Sequence, residues 1–148
     1  MPIMPIQVWR IMLGIWLTSV LMVISLPWSK FDARPHWKNV QWVPFEHFSL
    51  HPTVLTETIL NVIAFIPVGY LAARSLAQSH QRPVLGALAL GACSSVSIEL
   101  YQLFCQDRVP STTDLLLNVG GTAIGVWLAF AIDWTLTFFM LHIRRLST

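Results

Sequence analysis

The stretch PVLGALALGACSSVSIELYQLFCQ, residues 83–106, decides the fold: it carries a single charge, Glu99, and is otherwise apolar or weakly polar. A run of this length is enough to cross the roughly 30 Å of bilayer hydrocarbon as a helix. A charge at the centre of such a helix costs roughly 2.5 to 3.5 kcal/mol on insertion scales, so Glu99 needs a protein interior or a wet cavity and marks a site. Ser95, Glu99 and Gln102 follow i, i+4, i+7 spacing and share one helix face.

The rest of the chain agrees with a membrane reading. Its 148 residues are 55% hydrophobic and 11% charged, with a mean hydropathy of +0.62, too apolar for a soluble domain of this size. Segments 11–27, 54–73, 83–105 and 115–133 each approach or exceed the length of a transmembrane helix. They predict an all-α integral membrane four-helix bundle, one domain over residues 1–148. Asp114 and Asp133, nineteen residues apart and about 28 Å along a helix, frame the last span. Residues 134–145 then read as an interfacial amphipathic tail, with Phe138, Phe139 and Leu141 against lipid and Arg144 and Arg145 toward headgroups. No small-x-small cleavage site follows the first apolar run, which reads as a retained anchor. Cys93 and Cys105, twelve residues apart on one helix and about 18 Å from each other, cannot bridge.

Charge sets the expected orientation. With the N-terminus inside, the inner segments carry Arg10, Arg74, Arg82, Arg144 and Arg145 and the outer loops carry Lys30, Arg34, Lys38 and Arg108. Five against four favours cytoplasmic N- and C-termini in the inner (plasma) membrane. Trp28, Trp37 and Trp42 then belong to the outer interface and Trp134 to the inner one. In that orientation Glu99 lies about 25 Å above Arg82, in the outer quarter of the bilayer. Asn61 lies four residues below Glu57, and Asn118 four below Asp114, about 6 Å in each case. Three helices thus bring polar groups to one depth beside the short loop 106–113. Asn118, Gly121 and Gly125 share a face, and the small-xxx-small pair lets two helices approach closely.

The run Asn61-Val62-Ile63-Ala64-Phe65-Ile66-Pro67-Val68-Gly69 resembles the N-x-x-x-F-x-P-x-G signature of the VanZ-like membrane protein family. Glu99-Leu100-Tyr101-Gln102, then Arg108, then Asp114-Leu115-Leu116-Leu117-Asn118 and Gly121 are similar to its E-x-x-Q, R, D-x-x-x-N-x-x-G pattern. Val43-Pro44-Phe45 resembles its P-F element. The family is named for a protein associated with low-level teicoplanin resistance. The resemblance implies the membrane fold and the same polar residues; it does not supply a reaction.

Several functions fit these residues. In the first, an outer-facing pocket of Asn61, Glu99, Gln102, Arg108, Asp114 and Asn118 engages a membrane lipid or lipid-linked envelope precursor and so influences glycopeptide susceptibility. Arg108 would grip an anionic group there. In the second, an intramembrane enzyme works on a lipid headgroup with Glu99 as acid or base and Arg108 stabilising negative charge. In the third, the protein is structural or a homo-oligomeric transporter. Asn61, Gln102 and Asn118 would then be interhelical hydrogen bonds and Glu99 with Arg108 a structural pair. Glu46, His47 and His51 have a spacing that can bind metal, but Pro44 and Pro52 bracket them and no metal is expected. No cofactor is expected either. A net charge of +2 without a basic stripe argues against nucleic acid.

Overall fold

The computed structural model describes residues 4–25, 31–46, 48–77 and 82–146. Prolines set the helix starts. Pro5 offers its carbonyl to Val8 N–H at 2.9 Å and α1 runs Ile6–Ser25; Pro52 and Pro83 stand in the first turns of α2 (Pro52–Leu76) and α3 (Pro83–Gln102), where a missing N–H costs nothing. The fourth helix, α4, spans Thr112–Leu146. All four are long and apolar enough to cross a membrane, and the described residues contain no strand beyond two isolated bridges. The expected all-α four-helix bundle and multi-pass membrane protein are what the chain forms.

Boundaries differ from the sequence reading where loops compete for backbone bonds. Helix α3 stops at Gln102, three residues before the expected 105. The Leu103 and Phe104 carbonyls instead accept from His36 and Asp32 N–H of the α1–α2 loop, at 2.9 and 2.7 Å. Helix α4 starts at Thr112, three residues early, because Ser111 caps it: its Oγ accepts the Thr113 N–H at 3.1 Å. Residues 134–145, expected as an interfacial amphipathic tail after a helix ending at 133, are helical and continue α4, whose span-length apolar part is Thr112–Thr135. No glycine or proline follows Gly125 to stop the helix, and Trp134, Phe138 and His142 stack at i, i+4 spacing with centroids 6.1 and 6.3 Å apart. The side chains of Phe139, Leu141, Arg144 and Arg145 lie outside the described residues, as do Trp28, Lys30 and His47.

Helix α2 is the centre of the bundle and touches the other three, most extensively α4. Its contact with α4 is made by glycines. A Cβ on Gly121 would stand 2.3 Å from the Val62 carbonyl oxygen, one on Gly125 would stand 1.9 Å from that of Ile66, and one on Gly69 would stand 1.9 Å from that of Thr122. Backbone therefore lies on backbone along this crossing, as small-residue interfaces allow in lipid. Phe65, 1% exposed, and fully buried Val68 fill the space beside it. Helix α1 leans on α2 through Trp16, whose indole N–H donates to the Ala64 carbonyl at 2.9 Å, and through the edge contact of Trp9 with Tyr70. At that same end Arg74 of α2 donates to both carboxylate oxygens of Asp133 of α4, beneath the Trp9 and Tyr70 rings. The outward surfaces of the helices carry Ile11, Ile15, Met22, Ile59, Ile63, Leu85, Val96, Leu100 and Trp127, exposed and apolar, which is the face a bilayer solvates.

Candidate functional site

The α1–α2 loop closes over the α3–α4 turn. Gln41 N–H donates to the Pro110 carbonyl at 2.9 Å, Thr112 N–H and Oγ1 both donate to the Gln41 carbonyl, and Phe45 N–H donates to Thr113 Oγ1 at 2.8 Å. That last bond holds Phe45 with φ +62°, the one left-handed non-glycine backbone among the described residues. Gln106 Nε2 reaches Asp32 Oδ2 at 3.4 Å across the same junction. The Gln106 amide, then the Arg34 N–H, hold the Asp32 carboxyl below the usual carboxylate range.

Beneath this cap, Glu99 occupies the last turn of α3. Its Oε2 accepts the Ser111 N–H at 2.7 Å, at the capped start of α4, where orphan N–H groups and the helix dipole favour an anion. Its Oε1 is buried and receives no hydrogen bond. Glu99 therefore ties the end of α3 to the beginning of α4 with one oxygen and leaves the other unoccupied. Ser111, the partner, is not charged and follows no helical period with Glu99, so spacing alone did not reveal it.

One helical turn deeper, Asn118 Nδ2 donates to Ser95 Oγ at 2.9 Å. Asn118 is 2% exposed, and its Oδ1, also buried, has no partner. Asn118 does meet a neighbouring helix, but not the one its glycine face meets: Gly121 and Gly125 lie on α2, and Asn118 bonds to α3. Thr122 sits between them, fully buried, with its hydroxyl on the Asn118 carbonyl at 2.9 Å. On α2, Asn61 and Glu57 both stand within electrostatic reach of the Asp114 carboxylate.

These groups line one cleft of about 450 Å³ between α2, α3, α4 and the 107–109 turn, with Val23 of α1 on its wall. All six residues singled out from sequence, Asn61, Glu99, Gln102, Arg108, Asp114 and Asn118, border it. So do Glu57, which marked depth in the sequence, and Asp107 of the turn, neither of which the sequence placed in the site. The i, i+4 relation of Glu57 to Asn61 was the available signal. A second, apolar hollow lies on the other side of Glu99, walled by Trp37, Trp42, Val96, Leu100 and Leu115. Glu99 thus separates a polar cleft from a groove of hydrocarbon character.

The donor set bears on chemistry. The Ser94 and Ser97 hydroxyls turn back to the Leu90 and Cys93 carbonyls, both at 2.8 Å. Ser95 and Ser111 serve as an amide partner and a helix cap. None of these hydroxyls is paired with a histidine among the described residues. No group of three His, Cys, Asp or Glu side chains there is placed to hold a metal ion.

Compared with known proteins, residues 9–136 match the family model described as VanZ/LLP1. No curated protein and no solved structure matches the chain.

Proposed function

We propose, for a chain that belongs to the VanZ/LLP1 family, that its cleft binds the polar head of a lipid-linked or envelope component on the outer face of the inner membrane. Through that binding it influences glycopeptide susceptibility. The observation that supports this reading is the convergence of eight polar side chains from the N-terminal part of α2, the end of α3, the start of α4 and a turn on one cleft. Interhelical glue would pair these groups off with one another; here Glu99 Oε1 and Asn118 Oδ1 stay buried without partners. An unpaired buried acceptor costs about 1–3 kcal/mol, a cost that a ligand donor would remove.

A second reading, an intramembrane enzyme acting on a lipid headgroup, draws on the unoccupied Glu99 Oε1, which is free to take a proton. Binding is preferred because the nearby Ser94, Ser95, Ser97 and Ser111 hydroxyls are engaged by the protein's own groups.

The test compares wild type with Asn61→Leu and Arg108→Ala at matched membrane abundance. The expected result is loss of the glycopeptide phenotype in both, together with loss of a co-purifying lipid detected by native mass spectrometry. Unchanged phenotype and unchanged lipid in both variants would leave the structural reading. A chemically altered lipid that accumulates only with Glu99 intact would favour the enzyme.

A further inference from the structure

The cleft is rich in acceptors and in negative charge. Four carboxylates, Glu57, Glu99, Asp107 and Asp114, border it beside one guanidinium, Arg108. Three of the four feel one another: Asp114 is within electrostatic reach of Glu57, and Glu99 of Asp114. One amide donor that could offset them is committed, since Asn118 Nδ2 goes to Ser95 Oγ. In the lining of the cleft Asn118, 2% exposed, has an amide oxygen with no partner, and Glu99 Oε1 is likewise buried and unpaired. An acidic cleft with orphan acceptors in its lining lacks what a cationic donor brings.

Resting on the binding function above, we infer that the group received by this cleft is a protonated amine, which donates to Asn118 Oδ1 and Glu99 Oε1 and lies among Glu57, Asp114 and Glu99. A bare divalent cation fits less well: it needs several oxygen ligands at 2.0–2.6 Å around one point, and no three His, Cys, Asp or Glu side chains among the described residues converge in that way. An ammonium sends three N–H donors in separate directions over roughly 2.7–2.9 Å, so its acceptors stand farther apart. The amine can belong to a lipid headgroup or to a soluble amine of the envelope; the recognition chemistry is the same.

The test uses the full chain in mild detergent and an equimolar mixture of phosphatidylethanolamine, N-acetylated phosphatidylethanolamine and phosphatidylglycerol with matched acyl chains, read by native mass spectrometry. Acetylation removes the charge and keeps the rest of the lipid, so the wild type alone is informative even where a variant misfolds. Retention of phosphatidylethanolamine at least fivefold over its acetylated form is expected, and the ratio should fall to near unity in Glu57→Gln and Asp114→Asn. Millimolar phosphoethanolamine separates the sources. Displacement of the lipid shows that head chemistry is sufficient, retention shows that the chains anchor it, and either upholds the amine. Equal or stronger retention of the two anionic lipids, lost in Asn61→Leu, would overturn the amine and leave the binding function standing. A phosphatidylethanolamine preference that survives both carboxylate variants would place the amine elsewhere and overturn the inference. No cleft-dependent lipid of any kind would overturn both.

Discussion

Gly120 and Gly121 are neighbours in sequence, and the structure gives them opposite fates on substitution. A Cβ at Gly120 meets nothing within 4 Å, whereas one at Gly121 stands 2.3 Å from the Val62 carbonyl oxygen and 3.1 Å from the Phe65 Cβ. At Gly125 the corresponding approach is 1.9 Å to the Ile66 carbonyl oxygen and 2.7 Å to the Tyr70 nitrogen. Real Cβ atoms essentially never come closer than 3.0 Å to such atoms, so α4 has to withdraw from α2 by about 1 Å at Gly125. Backbone atoms cannot rotate aside as a side-chain tip can. Overpacking of this kind costs about 1–3 kcal/mol, and gaining alanine's helix propensity returns about 1 kcal/mol at most. With the full gain subtracted, Gly121→Ala and Gly125→Ala should lose about 0–2 kcal/mol net, Gly125→Ala at the upper end because its approach is the closer, and Gly120→Ala should be neutral or stabilised by up to about 1 kcal/mol. Reversible unfolding in mixed micelles, followed by far-UV circular dichroism against denaturing detergent fraction, measures all three. Gly125→Ala at wild-type stability, or Gly120→Ala as damaging as its neighbour, would refute the backbone-on-backbone crossing.

Four further outcomes follow from the geometry. Removing both partners of the deep amide bond, as Asn118→Leu with Ser95→Ala, should change stability by no more than about 1 kcal/mol, since interhelical hydrogen bonds in membranes average about 0.6; chemical unfolding checks this, and a loss above 2 kcal/mol would mean that Asn118 carries more of the fold than argued. The Arg74–Asp133 pair, shielded by Trp9 and Tyr70, should show a coupling of about 1 kcal/mol in a double-mutant cycle of Arg74→Met and Asp133→Asn, and additivity would reduce it to a solvated contact. Asp32, whose folded pKa is depressed chiefly by Gln106, favours loop docking above the unfolded carboxylate range and loses that contribution as pH falls through the folded value; hydrogen exchange of the 31–46 amides should accelerate on acidification below the usual carboxylate range in wild type and show no such step in Asp32→Asn. Lys38→Cys, in a background without Cys93 and Cys105, should react with an impermeant thiol reagent in intact cells, because Lys38 is exposed on the loop that caps the cleft. Protection there would place the cleft on the cytoplasmic side.

Sequence alone determined the class of the protein and the identity of most polar residues at the cleft. Apolar length fixes four helices, because lipid offers no partner to an unpaired backbone and the helix is the local way to pair it. Isolated polar residues in such helices, Asn61, Glu99 and Asn118, are costly enough in hydrocarbon that their presence pointed inward before any contact was known. Helical period then gave the shared faces, and equal depth gave their meeting. What the period cannot carry is any bond between elements far apart in the chain. Glu99 meeting Ser111, the Leu103 and Phe104 carbonyls turning to the α1–α2 loop, and Gly121 lying against Val62 all depend on how three helices and a loop pack. The length of α4 beyond Asp133 was misjudged because a membrane-thickness argument says where a span ends and not where a helix does. The acidic balance of the cleft was likewise a tertiary result: the packing of α2 against α4 brings Glu57 within reach of Asp114, and the turn after α3 brings Asp107 to the same cleft.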